Sequence, residues 1–127
     1  ALMCAGDMSE PNGYQAARDL LGLENAPTAF VASSILLALG VKRAIEERGL
    51  RPGREASVIC FDDDISYLPN TGDTPLFTAM RSSVRAAGAR CAALLLGRIA
   101  TPGDAPAQEL WEAEFVPGAS TGHGPAA

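Results

Sequence analysis

Three short apolar runs limit what this chain can fold into: Thr28-Ala29-Phe30-Val31-Ala32, Ser57-Val58-Ile59-Cys60-Phe61 and Phe77 to Met80. A strand with water on one face alternates apolar and polar side chains, whereas a strand covered on both faces stays apolar throughout. The runs are of the second kind, and segments of helical length separate or follow them. The fold class predicted from this β-α alternation is α/β, a three-layer parallel sheet with helices on both faces and right-handed crossovers.

The helical segments carry their own start and stop signals. Residues 11 to 22 are predicted to be helical, with Pro11 in the first turn and Tyr14, Ala17 and Leu21 on one face. Ser33 or Ser34 caps a helix running to about Arg48, closed by Gly49 with Pro52 beyond it. Ser82 or Ser83 caps another, with Val84, Gly88, Cys91, Leu95 and Ile99 at helical spacing. Trp111, Ala113 and Phe115 alternate with Glu112 and Glu114, as in a strand with one wet face. Residues 62–75 are rich in Pro, Gly and Asp and are predicted to be a loop. The opening Ala1 to Ala5 is apolar at once and reads as a strand already under way, so the chain is expected to be part of a longer one. We expect one domain over residues 1–117 and a flexible Gly- and Pro-rich tail over 118–127.

Composition narrows the function. With 127 residues, 47% hydrophobic and 20% charged, the chain can bury a core. A formal net charge of −5 gives it no electrostatic reason to approach nucleic acid by itself. Arg81, Arg85, Arg90 and Arg98 read as a solvated helix face. Cys4, Cys60 and Cys91 are odd in number and irregular in spacing, which fits reduced thiols in a cytoplasmic protein better than a disulfide framework. The single histidine, His123, and the absence of a CxxC pair argue against a zinc site, so no cofactor or metal is expected. No apolar run reaches the roughly 20 residues that span a bilayer, so no membrane partner is expected.

In parallel sheets of this kind, ligands bind beyond the carboxyl ends of the strands. That edge should gather Gly6-Asp7-Met8, Ser33-Ser34, Asp62-Asp63-Asp64 and Arg81-Ser82-Ser83. The acidic triplet could hold Mg²⁺ for phosphoryl chemistry, accept hydrogen bonds from ligand hydroxyls, or form a solvated turn. Nothing matches GxxxxGK[ST] or GxGxxG, which weakens the Mg²⁺ reading. The serine pairs have no histidine base in reach and no GxSxG context, so N-capping explains them and no catalytic residue is assigned. Met8, at the expected strand end, could be an apolar ligand contact.

The ordered set Gly6-Asp7, Gly13-Tyr14, Pro27-Thr28-Ala29, Ala38-Leu39-Gly40, Gly49-Leu50-Arg51, Ser57-Val58-Ile59 with Phe61-Asp62-Asp63, Leu76-Phe77-Thr78 with Arg81, Ala93 to Leu96, and Ser120-Thr121-Gly122 resembles the lactose/galactose-repressor (LacI/GalR) family. The resemblance covers nearly the whole chain and corresponds to the C-terminal subdomain of the effector-binding core, a type I periplasmic-binding-protein-like fold. The family's helix-turn-helix and N-terminal core subdomain have no counterpart in these residues. The resemblance implies a transcription regulator, not an enzyme, that binds a small sugar-like effector, forms a homodimer and reaches operator DNA through the missing N-terminal domain. A sugar-binding protein of a transport system is the alternative. By position, Asp62 matches the effector-contacting aspartate, Met8 an apolar ligand contact, and Ser34 and Ser82 polar pocket positions. Ile35 stands where Asp is common, Ser82 where Gln is common and Gly118 where Arg is frequent, which implies a less polar pocket than a usual hexose site. The resemblance also implies a dimer interface built from the helix Ser34–Arg48, including Leu37 and Val41, and from the loop near Ser66–Gly72.

Overall fold

The computed structural model describes residues 2–63, 70–103 and 105–124. The elements run α1 (Glu10–Leu21), β1 (Ala29–Ala32), α2 (Ile35–Glu47), β2 (Ser57–Asp62), β3 (Thr78–Arg81), α3 (Val84–Ala100) and β4 (Glu114–Val116). They form one four-stranded sheet in the order β1-β2-β3-β4. The first three strands are parallel, in registers that place Ala32 beside Cys60 and Asp62 beside Arg81. β4 closes the sheet antiparallel to β3.

Local chemistry explains the helix ends. Ser9 caps α1, accepting from the Asn12 amide, and Pro11 sits in the first turn, where its missing N–H costs no helical bond. Ser34 and Ser83 cap α2 and α3 in the same way, through the amides of Leu37 and Ala86. Gly49 takes a φ of 73° just past α2, a conformation that glycine enters without a Cβ clash.

One sheet face is packed. Phe30, Ala32, Val58 and Cys60 point into a core completed by Ile35, Ala38, Val41, Ala44 and Ile45 of α2 and by Ala17 and Leu21 of α1. The two helices approach closely because glycines meet at the crossing. A Cβ on Gly13 would lie 2.3 Å from the Leu37 carbonyl oxygen, and one on Gly40 would lie 2.1 Å from that of Glu10. Of the two residues expected at a dimer surface, Val41 is buried in this internal core and Leu37 is partly buried against it.

Four expectations change. The opening segment 2–7 has no strand hydrogen bonding and is exposed, because no neighbouring strand among the described residues pairs with it. Among the described residues no helix covers the sheet's second face: Val31 is 87% exposed, Phe61 is exposed, and α3 buries none of its residues. The apolar residues Val84, Leu95, Leu96 and Ile99 of α3 have no seat among the described residues. The last strand is Glu114–Val116, so Trp111 and Ala113 precede it.

The fourth change concerns the expected flexible tail, whose first residues are fastened between β2 and β3. Ser120 is 2% exposed, and its hydroxyl accepts from the Thr78 amide at 2.9 Å and donates to the Val58 carbonyl at 2.5 Å. The Val58 amide donates in turn to the Ser120 carbonyl, and the Gly118 amide to Thr78 Oγ1. Small residues are needed here for close backbone approach, which is why the stretch looked like a tail. Residues 125–127 lie outside the described residues.

Candidate functional site at the carboxyl edge

Because β1, β2 and β3 are parallel and adjacent, the residues that follow them emerge side by side. Ser33 and Ser34 follow β1, Asp62 ends β2 with Asp63 after it, and Arg81 ends β3 with Ser82 and Ser83 after it. Three of the four expected segments therefore share one edge.

Asp62 is the centre of this edge. It is 3% exposed, and both Nε and Nη2 of Arg81 donate to its Oδ2 at 3.3 Å. The backbone joins in: the Ser82 amide donates to the Asp62 carbonyl at 2.9 Å and the Val84 amide to that of Asp63 at 3.3 Å. Arg81 Nη2 also donates to the Asn70 carbonyl. Asn70 is 3% exposed, and its side chain brackets Phe77, donating to the carbonyl and accepting from the amide at 2.9 Å each. A buried carboxylate is tolerated where charge-assisted hydrogen bonds replace water, and this cluster supplies them.

The four site residues expected from sequence stand differently. Asp62 and Ser82 are joined by the backbone hydrogen bond just described. Ser34 is 8% exposed at the neighbouring strand end, with its hydroxyl engaged in capping α2 at 3.3 Å from the Leu37 amide. Met8 is 61% exposed at the entrance to α1. Of the acidic triplet, Asp64 lies outside the described residues, as do residues 66–69 of the expected interface loop. Among the described residues no group of three His, Cys, Asp or Glu is arranged to hold a metal ion.

Arg81 was expected at this edge, but its pairing with Asp62 and the part played by Asn70 were not foreseen. Arg81 was grouped with the helix arginines, although it ends β3 opposite Asp62. The signal was the strand register: two runs aligned at their apolar residues bring an acid and a base side by side at their ends.

A cavity lies elsewhere. About 660 Å³ opens between residues 2–6 and β1, lined among others by Leu2, Met3, Ala29, Val31 and Leu37. None of Met8, Ser34, Asp62 and Ser82 lines it, though Ser33 does. Its lining is mostly apolar side chains and the free edge of β1. It lacks the convergent polar groups that orient a polar small molecule, so the carboxyl edge is the better candidate for one.

Electrostatics around β2 are set by burial. The Cys60 thiol is pushed up to about 12, first by burial and second by the nearby Asp62 charge. It is inert at neutral pH. On the surface, hydrogen bonds from the Arg51 side chain and amide hold Glu55 down to about 2.

A family model for a periplasmic binding protein-like domain matches residues 2–121. Among curated proteins, the HTH-type transcriptional regulator AglR of Rhizobium meliloti is 45% identical over 126 residues, covering 98% of this chain and 35% of AglR. The lactose operon repressor of Escherichia coli is 41% identical over 58 residues, covering 46% of this chain and 16% of that protein. Among solved structures, a LacI family transcriptional regulator from Enterococcus faecium with bound ribose has a TM-score of 0.73 and 28% identity, covering 90% of this chain and 41% of that one. The lac repressor dimer bound to operator and the anti-inducer ONPF has a TM-score of 0.75 and 30% identity, covering 93% and 40%. The chain thus spans about a third of the length of AglR.

Proposed function

The chain belongs to the periplasmic-binding-protein-like domain family in the form carried by LacI-type regulators, and on that footing we propose that it is the effector-sensing part of a DNA-binding transcriptional regulator. The observation that carries this reading is Asp62, a buried carboxylate at the carboxyl end of a central parallel strand, flanked by serines at the ends of the strands on either side. A carboxylate held in place at a sheet edge is an acceptor suited to the hydroxyls of a small polyhydroxylated molecule.

Ser34 and Ser82 are the neighbouring polar contacts in this proposal, and Met8 the apolar one. Ser82 offers a shorter polar side chain where Gln is common, which favours an effector less demanding of hydrogen bonds than a simple hexose. No residue is assigned a catalytic role. The regulator is proposed to act in the cytoplasm as a homodimer and to meet operator DNA through segments outside these residues. No helix of the described residues is long and apolar enough to cross a membrane. The relatives are named as regulators, which favours this reading over a transport protein.

A thermal-shift panel of neutral mono- and disaccharides tests the proposal. At least one should raise the unfolding midpoint of the chain, and Asp62→Asn should remove that rise while leaving the unliganded protein folded. An undiminished rise in the variant would overturn the assignment of Asp62.

A further inference from the structure

We propose that Arg81 is a positioning residue for the effector site: its guanidinium orients the Asp62 carboxylate and ties it to the end of the following loop at Asn70. The inference rests on the reading of Asp62 as the effector's hydrogen-bond acceptor.

The geometry supports it at three levels. Asp62 and Arg81 are register partners on adjacent parallel strands, so their side chains leave the sheet on the same side. Two nitrogens of one rigid, planar guanidinium converge on one carboxylate oxygen, Oδ2, at 3.3 Å each. A planar fork fixes direction as well as charge, which a flexible ammonium on a longer stem does not. The same Nη2 donates to the Asn70 carbonyl, and Asn70 is clamped to the backbone of buried Phe77. Arg81 is therefore anchored on the strand side by β2 and on the loop side by Asn70, and Asp62 inherits that orientation.

A structural ion pair alone would make a different prediction. It would change stability and leave the affinity of the folded protein intact. A positioning role changes affinity, and changes it through Asp62.

The test is a double-mutant cycle on the full 127-residue chain, with Arg81→Met, Arg81→Lys, Asp62→Asn and the Met/Asn double variant. The probes are D-ribose, D-glucose, D-galactose, maltose and sucrose, with binding read from amide chemical shifts and folding from the unfolding midpoint. For a sugar that titrates the wild type, Arg81→Met should weaken binding about tenfold, the scale of one lost charge-assisted hydrogen bond. Arg81→Lys should restore part of it, and Arg81→Met should add less than about twofold in the Asp62→Asn background, where its target is already altered. Should Arg81→Met fail to fold, Arg81→Gln, which can still donate to Asn70, takes its place. Full affinity in Arg81→Met together with a loss in Asp62→Asn would overturn the positioning role alone. An equal effect of Arg81→Met in both backgrounds would show that Arg81 acts without Asp62 and would also overturn it. If Asp62→Asn binds as the wild type does, or no sugar binds, the assignment of Asp62 fails first and the role of Arg81 falls with it.

Discussion

Cys60 and Asp62 lie two positions apart on β2 and face the same side, both almost fully buried, yet they solve burial in opposite ways. Asp62 takes a charged partner in Arg81. Cys60 stays neutral, its thiol pushed up to about 12 by burial and then by the charge of Asp62. Its contribution to stability is present below the unfolded thiol value near 9 and is lost as pH rises from there through about 12. Unfolding free energy should therefore fall along that alkaline limb, and Cys60→Ala should flatten it, as chemical denaturation at stepped pH would measure. Iodoacetamide at pH 8 should label the exposed Cys4 and Cys91 and spare Cys60 in the folded chain. Rapid labelling of Cys60 would mean that the core opens at β2. At this scale the sequence made Asp62 visible because three acids in a row at a strand end are conspicuous. The pairing of Arg81 with Asp62 stayed hidden because it depends on which residue of another strand stands opposite.

At the scale of elements, most boundaries were legible because serine caps, prolines and apolar runs are local signals. α2 starts at its serine cap and ends before a glycine with positive φ, as its sequence implies. What was not legible were partnerships. Gly13 and Gly40 look like helix-weakening residues, but they let α1 and α2 touch backbone to backbone. Gly40→Ala should cost about 3 kcal/mol, because the new methyl would meet the Glu10 carbonyl and the Tyr14 amide and one helix would have to move. Urea unfolding checks this: the midpoint should drop with the slope unchanged. A loss below about 0.5 kcal/mol would show that the crossing is looser than the structure has it. Residues 118–122 make the same point. Their composition suggests a loose end, and only the Thr78 and Val58 partners explain why they are small.

At the scale of the molecule, the described residues form an α/β body with one packed face and one exposed face. Phe30, Val58 and the residues of α2 close the first. Val31, Phe61 and Phe115 remain exposed on the sheet, and Leu95, Leu96 and Ile99 on α3. Exposed apolar residues of this kind are what contact with further protein would cover, and the chain spans about a third of the length of AglR. The α/β class was legible from period and composition alone. The bare face was not, because an apolar strand position looks the same whether its cover lies within the chain or outside it. The carboxyl edge is proposed to sense a small polyhydroxylated effector. The most direct measurement is an amide chemical-shift map of the chain titrated with a sugar that stabilises it. The largest shifts should fall on Ser33, Ser34, Asp62, Asp63 and Arg81 to Ser83. Shifts centred on residues 2–6 and Ala29 to Val31, the cavity beside β1, would contradict it.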